Sequence, residues 1–248
     1  MAPSVSRIPA SASRVSPSAD APPTAANVPK PAACPTNWSR TEKLSTWAIV
    51  VAGGSGERFW PMSRVHTPKH LLRLLSDRTL VEETVRRIGA AVPVGNIFVL
   101  TNEVQLPATR AALAGLIPAE QIVAEPAKRD TAPAAALATA LVRARGGDDA
   151  VLALLPADAY IADAAGFARQ LGAALPRAAS GGAILTIAIK PAHAATGFGY
   201  LEMGEELGRV ESGVFRRVRR FVEKPDAATA ERYVTGQTYI QLAVVNGL

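Results

Sequence analysis

Residues 46–54, Thr46-Trp47-Ala48-Ile49-Val50-Val51-Ala52-Gly53-Gly54, decide the fold. An apolar run that breaks at two glycines reads as a buried strand emptying into a loop, because glycine lets the backbone turn and approach other groups closely. Similar short runs recur at 96–102, 121–126, 149–158 and 182–191, with helical patterns between them at about 79–91, 104–115, 131–145 and 164–178. Strand and helix alternate, so the expectation is a doubly wound, mostly parallel α/β sheet with right-handed crossovers. After Pro191 the rhythm changes. GYLEM (199–203) and VFRRVRRFVEKP (214–225) are shorter and more alternating, and they predict a small antiparallel extension followed by a helix at about 226–235.

Composition supports this class. A chain of 248 residues, 48% hydrophobic, can bury a full core in one domain, and with only 5% aromatics that core must be built from Ala, Val, Leu and Ile, which suits a parallel sheet under Ala-rich helices. Of the +6 net charge, half sits in residues 1–45, where Arg7, Arg14, Lys30, Arg40 and Lys43 face only Asp20 and Glu42. The rest has no long basic run and few aromatics for base stacking, so no nucleic-acid partner is expected. Cys34 is the one cysteine, which excludes an intrachain disulfide and a cysteine metal cluster and fits a reducing, cytoplasmic compartment. Neither an apolar run of about 18 residues nor an apolar leader segment is present, so no membrane partner is expected. Residues 1–45, rich in Pro, Ala and Ser, are expected to be a disordered extension, with a compact domain at 46–236 and a tail at 237–248.

Four motifs carry chemistry. Gly53-Gly54-Ser55-Gly56-Glu57-Arg58-Phe59-Trp60-Pro61 follows the first strand; its backbone amides can form an anion-binding nest, and Arg58 adds a forked donor. Alone it could be a plain glycine-rich turn, and Phe59 stands where a dinucleotide loop would have its third glycine. It continues, however, into Thr67-Pro68-Lys69-His70-Leu71-Leu72. The second motif is Glu125-Pro126-Ala127-Lys128-Arg129-Asp130-Thr131-Ala132-Pro133, in which Asp130 or Thr131 would also serve as a helix cap. The third, Leu155-Pro156-Ala157-Asp158-Ala159-Tyr160-Ile161, puts a carboxylate at the C-terminal end of a strand, where ligands of open α/β sheets gather. The fourth combines Thr196-Gly197-Phe198-Gly199-Tyr200 with Val222-Glu223-Lys224-Pro225-Asp226. His66, His70 and His193 have no metal-site spacing and read as loop histidines.

In this order the motifs resemble those of the sugar-phosphate nucleotidyltransferases, and among them the mannose-1-phosphate guanylyltransferases, over about residues 46–236. The resemblance implies a Rossmann-like nucleotidyltransferase fold and transfer of a guanylyl group from GTP to mannose 1-phosphate with Mg²⁺. It further implies that Gly53, Gly54, Ser55, Gly56 and Arg58 hold the triphosphate, with Lys69 reaching its phosphates. Glu125, Arg129 and Thr131 would lie beside guanine, although Asp130 stands where the family usually has Asn. Asp158 would be the metal ligand, with Ala159 in place of the usual His. Gly199, Glu223 and Lys224 would line the sugar-phosphate pocket. Two rivals stand beside this reading: a UTP- or dTTP-dependent glucose-1-phosphate nucleotidyltransferase, whose base loop more often carries Gln, and an inactive nucleotide-binding module. Beyond Gly236 the family pattern runs on with something like YLWNSGMF, whereas this chain reads Tyr239-Ile240-Gln241-Leu242-Ala243, so a C-terminally truncated, poorly active member is expected. A homo-oligomer stays open.

Overall fold

The computed structural model describes residues 44–54, 59–74, 76–127, 131–180, 183–236 and 239–242. Four parallel strands form the main sheet: β1 (Thr46–Val51), β2 (Ile97–Asn102), β3 (Ile122–Glu125) and β4 (Val151–Pro156), in the order β3-β2-β1-β4. Ala48 pairs with Ile97 on one side of β1 and with Ala153 on the other. The helices in between are α1 (Leu80–Gly89), α2 (Leu106–Ala112), α3 (Thr131–Gly146) and α4 (Ala164–Ala179).

Both faces of this sheet are covered, as the unbroken apolar run of β1 requires. Ala48, Val50 and Ala52 point to one side, into a core with Val81, Val85 and Ile88 of α1 and Leu171 and Leu175 of α4. Trp47 and Ile49 point to the other, against Phe98, Leu100 and the Ala138 and Val142 side chains of α3. Period two in the strand thus meets a small-residue helix on one side and Val/Leu-bearing helices on the other. Helix α1 begins with a capping box: Thr79 accepts from the Glu82 amide at 3.3 Å, and the Glu82 carboxylate accepts from the Thr79 amide at 2.7 Å. Asp163 caps α4 through the Gly166 amide at 2.7 Å. None of the helices among the described residues is long and apolar enough to cross a membrane.

The antiparallel extension is a second sheet, β6-β5-β7, built from β5 (Gly199–Val210), β6 (Gly213–Val222) and β7 (Tyr239–Leu242). Helix α5 (Ala227–Gly236) packs on it through Ala230, and Tyr233 lies between Tyr200 and Tyr239, with ring centroids 5.5 Å and 3.6 Å away. One expected strand is absent among the described residues. Residues 183–188 form no regular structure, and only Ile189 makes an isolated bridge. An apolar run becomes a strand only where a ladder partner is in reach, and β4, which pairs with β1, has no second strand beside it among the described residues. Between β4, α4, this segment and the second sheet lies an open cavity of about 1540 Å³; Ile187 packs on the main core while Ile184 is exposed.

Candidate active site

The carboxyl edge of the parallel sheet gathers the first group of candidate residues. Gly53 and Gly54 leave β1 there, and the loop is tied down from the end of β2. Leu100 O accepts from the Ala52 amide at 2.7 Å, Thr101 donates to Ala52 O at 3.1 Å, Asn102 Nδ2 to Gly53 O at 3.3 Å and Gln105 Nε2 to Gly54 O at 3.4 Å. Carbonyls of the loop are thereby engaged from behind. Glu125, the last residue of β3, lies over the same turn: a Cβ on Gly53 would sit 3.0 Å from Glu125 Oε1, so the glycine is what admits the carboxylate. Partial burial raises the Glu125 carboxyl above its ordinary value. Thr131 is the first residue of α3 and is exposed. Ser55, Gly56, Arg58 and Arg129 lie outside the described residues, as does Asp130.

Lys69 opens a 3₁₀ turn, Lys69–Leu71, and its Nζ makes an ion pair with Asp158 Oδ2 at 3.0 Å. It also stands 4.6 Å from the ring centroid of Phe59, a cation–π contact. Asp158 follows β4, whose end is fixed by the bond from the Ala157 amide to Val51 O at 3.0 Å. The pair is about one-quarter exposed on each side, open enough for either group to change partner. Trp60, next along from Phe59, is 77% exposed. Two motifs separated by almost ninety positions in the chain therefore meet in one contact.

His70 corrects the sequence reading. It is no loop histidine on the surface: it is 2% exposed and its Nε2 lies 3.3 Å from Thr109 Oγ1, which itself donates to Gln105 O. Burial lowers its pKa to about 4, with the Asp158 carboxylate pulling the other way. The signal available in the sequence was its place between Lys69 and the apolar pair Leu71-Leu72, half of a buried turn.

The second group sits on the second sheet. Gly199 opens β5 and faces the Phe221 ring; an added Cβ would collide with that ring and lie 3.1 Å from Glu223 Oε2. Glu223 and Lys224 follow β6, and their side chains pair at 3.3 Å while staying about half exposed. Gly199, Glu223 and Lys224 are thus brought together. Lys224 has φ of +42°, in the left-handed region where an L-residue costs roughly 1–2 kcal/mol, and such strain concentrates at functional positions. Lys224→Gly is accordingly expected to hold or raise stability, by up to about 1 kcal/mol after glycine's own entropy cost. Urea unfolding checks this, with Lys224→Val, expected to be less stable than the parent, as the contrast.

Known proteins are similar to this chain over most of its length. Residues 47–244 match the family described as "Nucleotidyl transferase". Over 195 residues the chain is 37% identical to a protein of Escherichia coli (strain K12) named mannose-1-phosphate guanylyltransferase, covering 78% of this chain and 40% of that protein. It is 37% identical over 191 residues to the xanthan biosynthesis protein XanB of Xanthomonas campestris pv. campestris, covering 77% of this chain and 39% of the other. Among solved structures, one described as a mannose-1-phosphate geranyltransferase from Thermus thermophilus superposes with a TM-score of 0.70 at 33% identity, covering 81% of this chain and 56% of that one. The chain spans about two fifths of the length of the curated relatives it matches. By the extent of the family match and the parallel core beneath it, the chain belongs to the nucleotidyl transferase family.

Proposed function

We propose that residues 46–236 together with β7 are the catalytic domain of a guanylyltransferase that joins GTP and mannose 1-phosphate into GDP-mannose and pyrophosphate, with 1–45 an extension; the boundary expected at Gly236 is corrected by β7, which pairs with β5 and so belongs to the second sheet. The observation that carries this reading is the Lys69–Asp158 pair beside the Gly53–Gly54 turn at the carboxyl edge of the sheet. The names borne by the relatives support guanine and mannose over the uridylyl and thymidylyl alternatives.

In the proposed step a phosphate oxygen of mannose 1-phosphate bonds to the α-phosphorus of GTP. The bond from that phosphorus to the bridging oxygen breaks, and its electrons leave with pyrophosphate. No general base is needed, because a sugar phosphate with a second pKa of about 6 is mostly dianionic at neutral pH. The protein's work is alignment and charge neutralisation. Backbone at Gly53 and Gly54 cradles the triphosphate; Ser55, Gly56 and Arg58 are assigned to the same task. Glu125, Arg129 and Thr131 are assigned to recognition of the base. Lys69 exchanges part of its contact with Asp158 for a phosphate oxygen. Gly199 admits the sugar, Glu223 accepts from its hydroxyls, and Lys224 pairs with its phosphate.

No group of three or more His, Cys, Asp or Glu side chains among the described residues could hold a metal by itself. Asp158 alone suits an ion that takes its other ligands from phosphate and water, the usual arrangement for Mg²⁺. Bound there, Mg²⁺ would supply charge stabilisation at the phosphates.

The test is thermal stabilisation by GTP, UTP and dTTP with Mg²⁺, followed by pyrophosphate release on adding mannose 1-phosphate. GTP is expected to raise the melting temperature most and to support release. A shift with dTTP equal to or larger than that with GTP would overturn the guanylyl reading.

A further inference from the structure

The loop that carries Asp158 is held from both sides by one helix. Thr84 of α1 donates its hydroxyl to Ala157 O at 3.3 Å, and Arg87, one turn further on, donates Nη2 to Ala159 O at 3.2 Å. The two carbonyls that flank Asp158 are therefore both occupied by α1 side chains. The same Arg87 Nη2 donates to Thr84 Oγ1 at 3.0 Å, which makes the two holders one unit. From its other face the guanidinium stacks 5.5 Å from the ring of Phe167 on α4. Thr84 and Arg87 are buried, at 1% and 8% exposure.

Helix packing alone does not account for this arrangement. A buried arginine carries a desolvation cost that an apolar side chain of similar size would avoid, and here Nε has no acceptor among the described residues. What offsets that cost is the position of a short loop that has few other ties among the described residues. Ala157 is anchored through its amide to β1, and Asp158 reaches outward to Lys69. Without the clamp, the Ala157–Asp158 and Ala159–Tyr160 peptide units lose these anchors, and the carboxylate between them moves with them.

We propose that Arg87, acting with Thr84, is a positioning residue that fixes the Asp158 carboxylate by clamping the carbonyls of Ala157 and Ala159. The proposal rests on the reading of Asp158 given above for its link to turnover, but the clamp itself does not. Three variants test it: Arg87→Met, which keeps bulk and loses the donors, Arg87→Lys, which keeps one donor, and Thr84→Val, which removes only the hydroxyl. Amide hydrogen exchange is followed in the unliganded chain by mass spectrometry, and kcat and KM for GTP are taken from pyrophosphate release.

In Arg87→Met the segment 157–160, whose Ala157 amide is held by Val51 O, is expected to exchange about tenfold faster, with α1 and the rest of β1 unchanged, and kcat to fall about ten- to a hundredfold at a nearly constant KM, the usual range for losing a supporting contact behind a functional side chain. Arg87→Lys is expected to recover part of both effects. Should Arg87→Met fail to fold, Thr84→Val takes its place, with the same local pattern at smaller size. Exchange at 157–160 that stays at the parent rate, or that rises equally across α1 and β1, overturns the clamp. If the parent chain releases no pyrophosphate, the proposed function fails on its own account, and the exchange pattern still decides the clamp.

Discussion

Asp158→Asn is expected to lower pyrophosphate release by a factor on the order of 10² to 10³, the cost typical of removing one preorganised electrostatic group at a reacting phosphate. Binding should respond in the opposite direction when metal is withheld. The carboxylate holds Lys69 at 3.0 Å and lies beside the turn assigned to the triphosphate, so without metal it competes for the lysine and repels the nucleotide. Calorimetric titration of Asp158→Asn with GTP in EDTA should give affinity equal to or tighter than the parent, whereas with Mg²⁺ it should be weaker. Lys69→Ala is expected to weaken GTP under both conditions, by about ten- to a hundredfold for a charge-assisted phosphate contact of roughly 1.5–3 kcal/mol. Turnover of Asp158→Asn within threefold of the parent would remove Asp158 from the chemistry.

The second large effect concerns acid stability. His70 has a lowered pKa of about 4 in the fold against 6.5 for the free side chain, because burial disfavours the charged ring. Between those values the unfolded chain binds the proton and the folded chain does not, so acid favours unfolding. The stabilisation is complete above pH 6.5 and is lost as the pH falls towards 4, a window worth about 3 kcal/mol. His70→Gln can still face Thr109 Oγ1 but does not titrate. Urea unfolding at pH 7, 6, 5 and 4 should show a steep acid limb for the parent and a shallower one for His70→Gln. Parallel limbs would mean that other groups set the acid response.

The parallel sheet was legible because its signal is local: Thr46–Val51 is apolar at every position that must be buried on two faces, and glycines mark its end. Asp158 could be picked out for a similar reason, sitting just past a hydrophobic strand, whereas Lys69 was marked only by the resemblance that Thr67-Pro68-Lys69 and the apolar pair after it carry. What escaped depends on partners distant in the chain. Residues 182–191 are as apolar as a strand, yet pairing is decided by what lies beside β4. The burial of His70 depends on Thr109, 39 positions away. Thr84 and Arg87 read as the ordinary inner face of an amphipathic helix, and only their reach to carbonyls 73 and 72 positions on distinguishes them. The backbone of Lys224 gives no sign in its sequence, since neither Glu223 nor Pro225 demands a left-handed residue between them.

The exposure of Trp60 makes it a natural reporter. Trp47 is buried and stacked on Phe98 with centroids 5.9 Å apart, whereas Trp60 lies in water beside Phe59 and the Lys69 turn. In a Trp38→Phe background the two remaining indoles should emit differently, Trp47 towards the blue and Trp60 towards the red. Acrylamide should reach Trp60 first. The red component then serves as an intrinsic optical gauge of the glycine loop, readable in stopped flow without a label, and it gives the on-rate of a nucleotide before any chemistry begins.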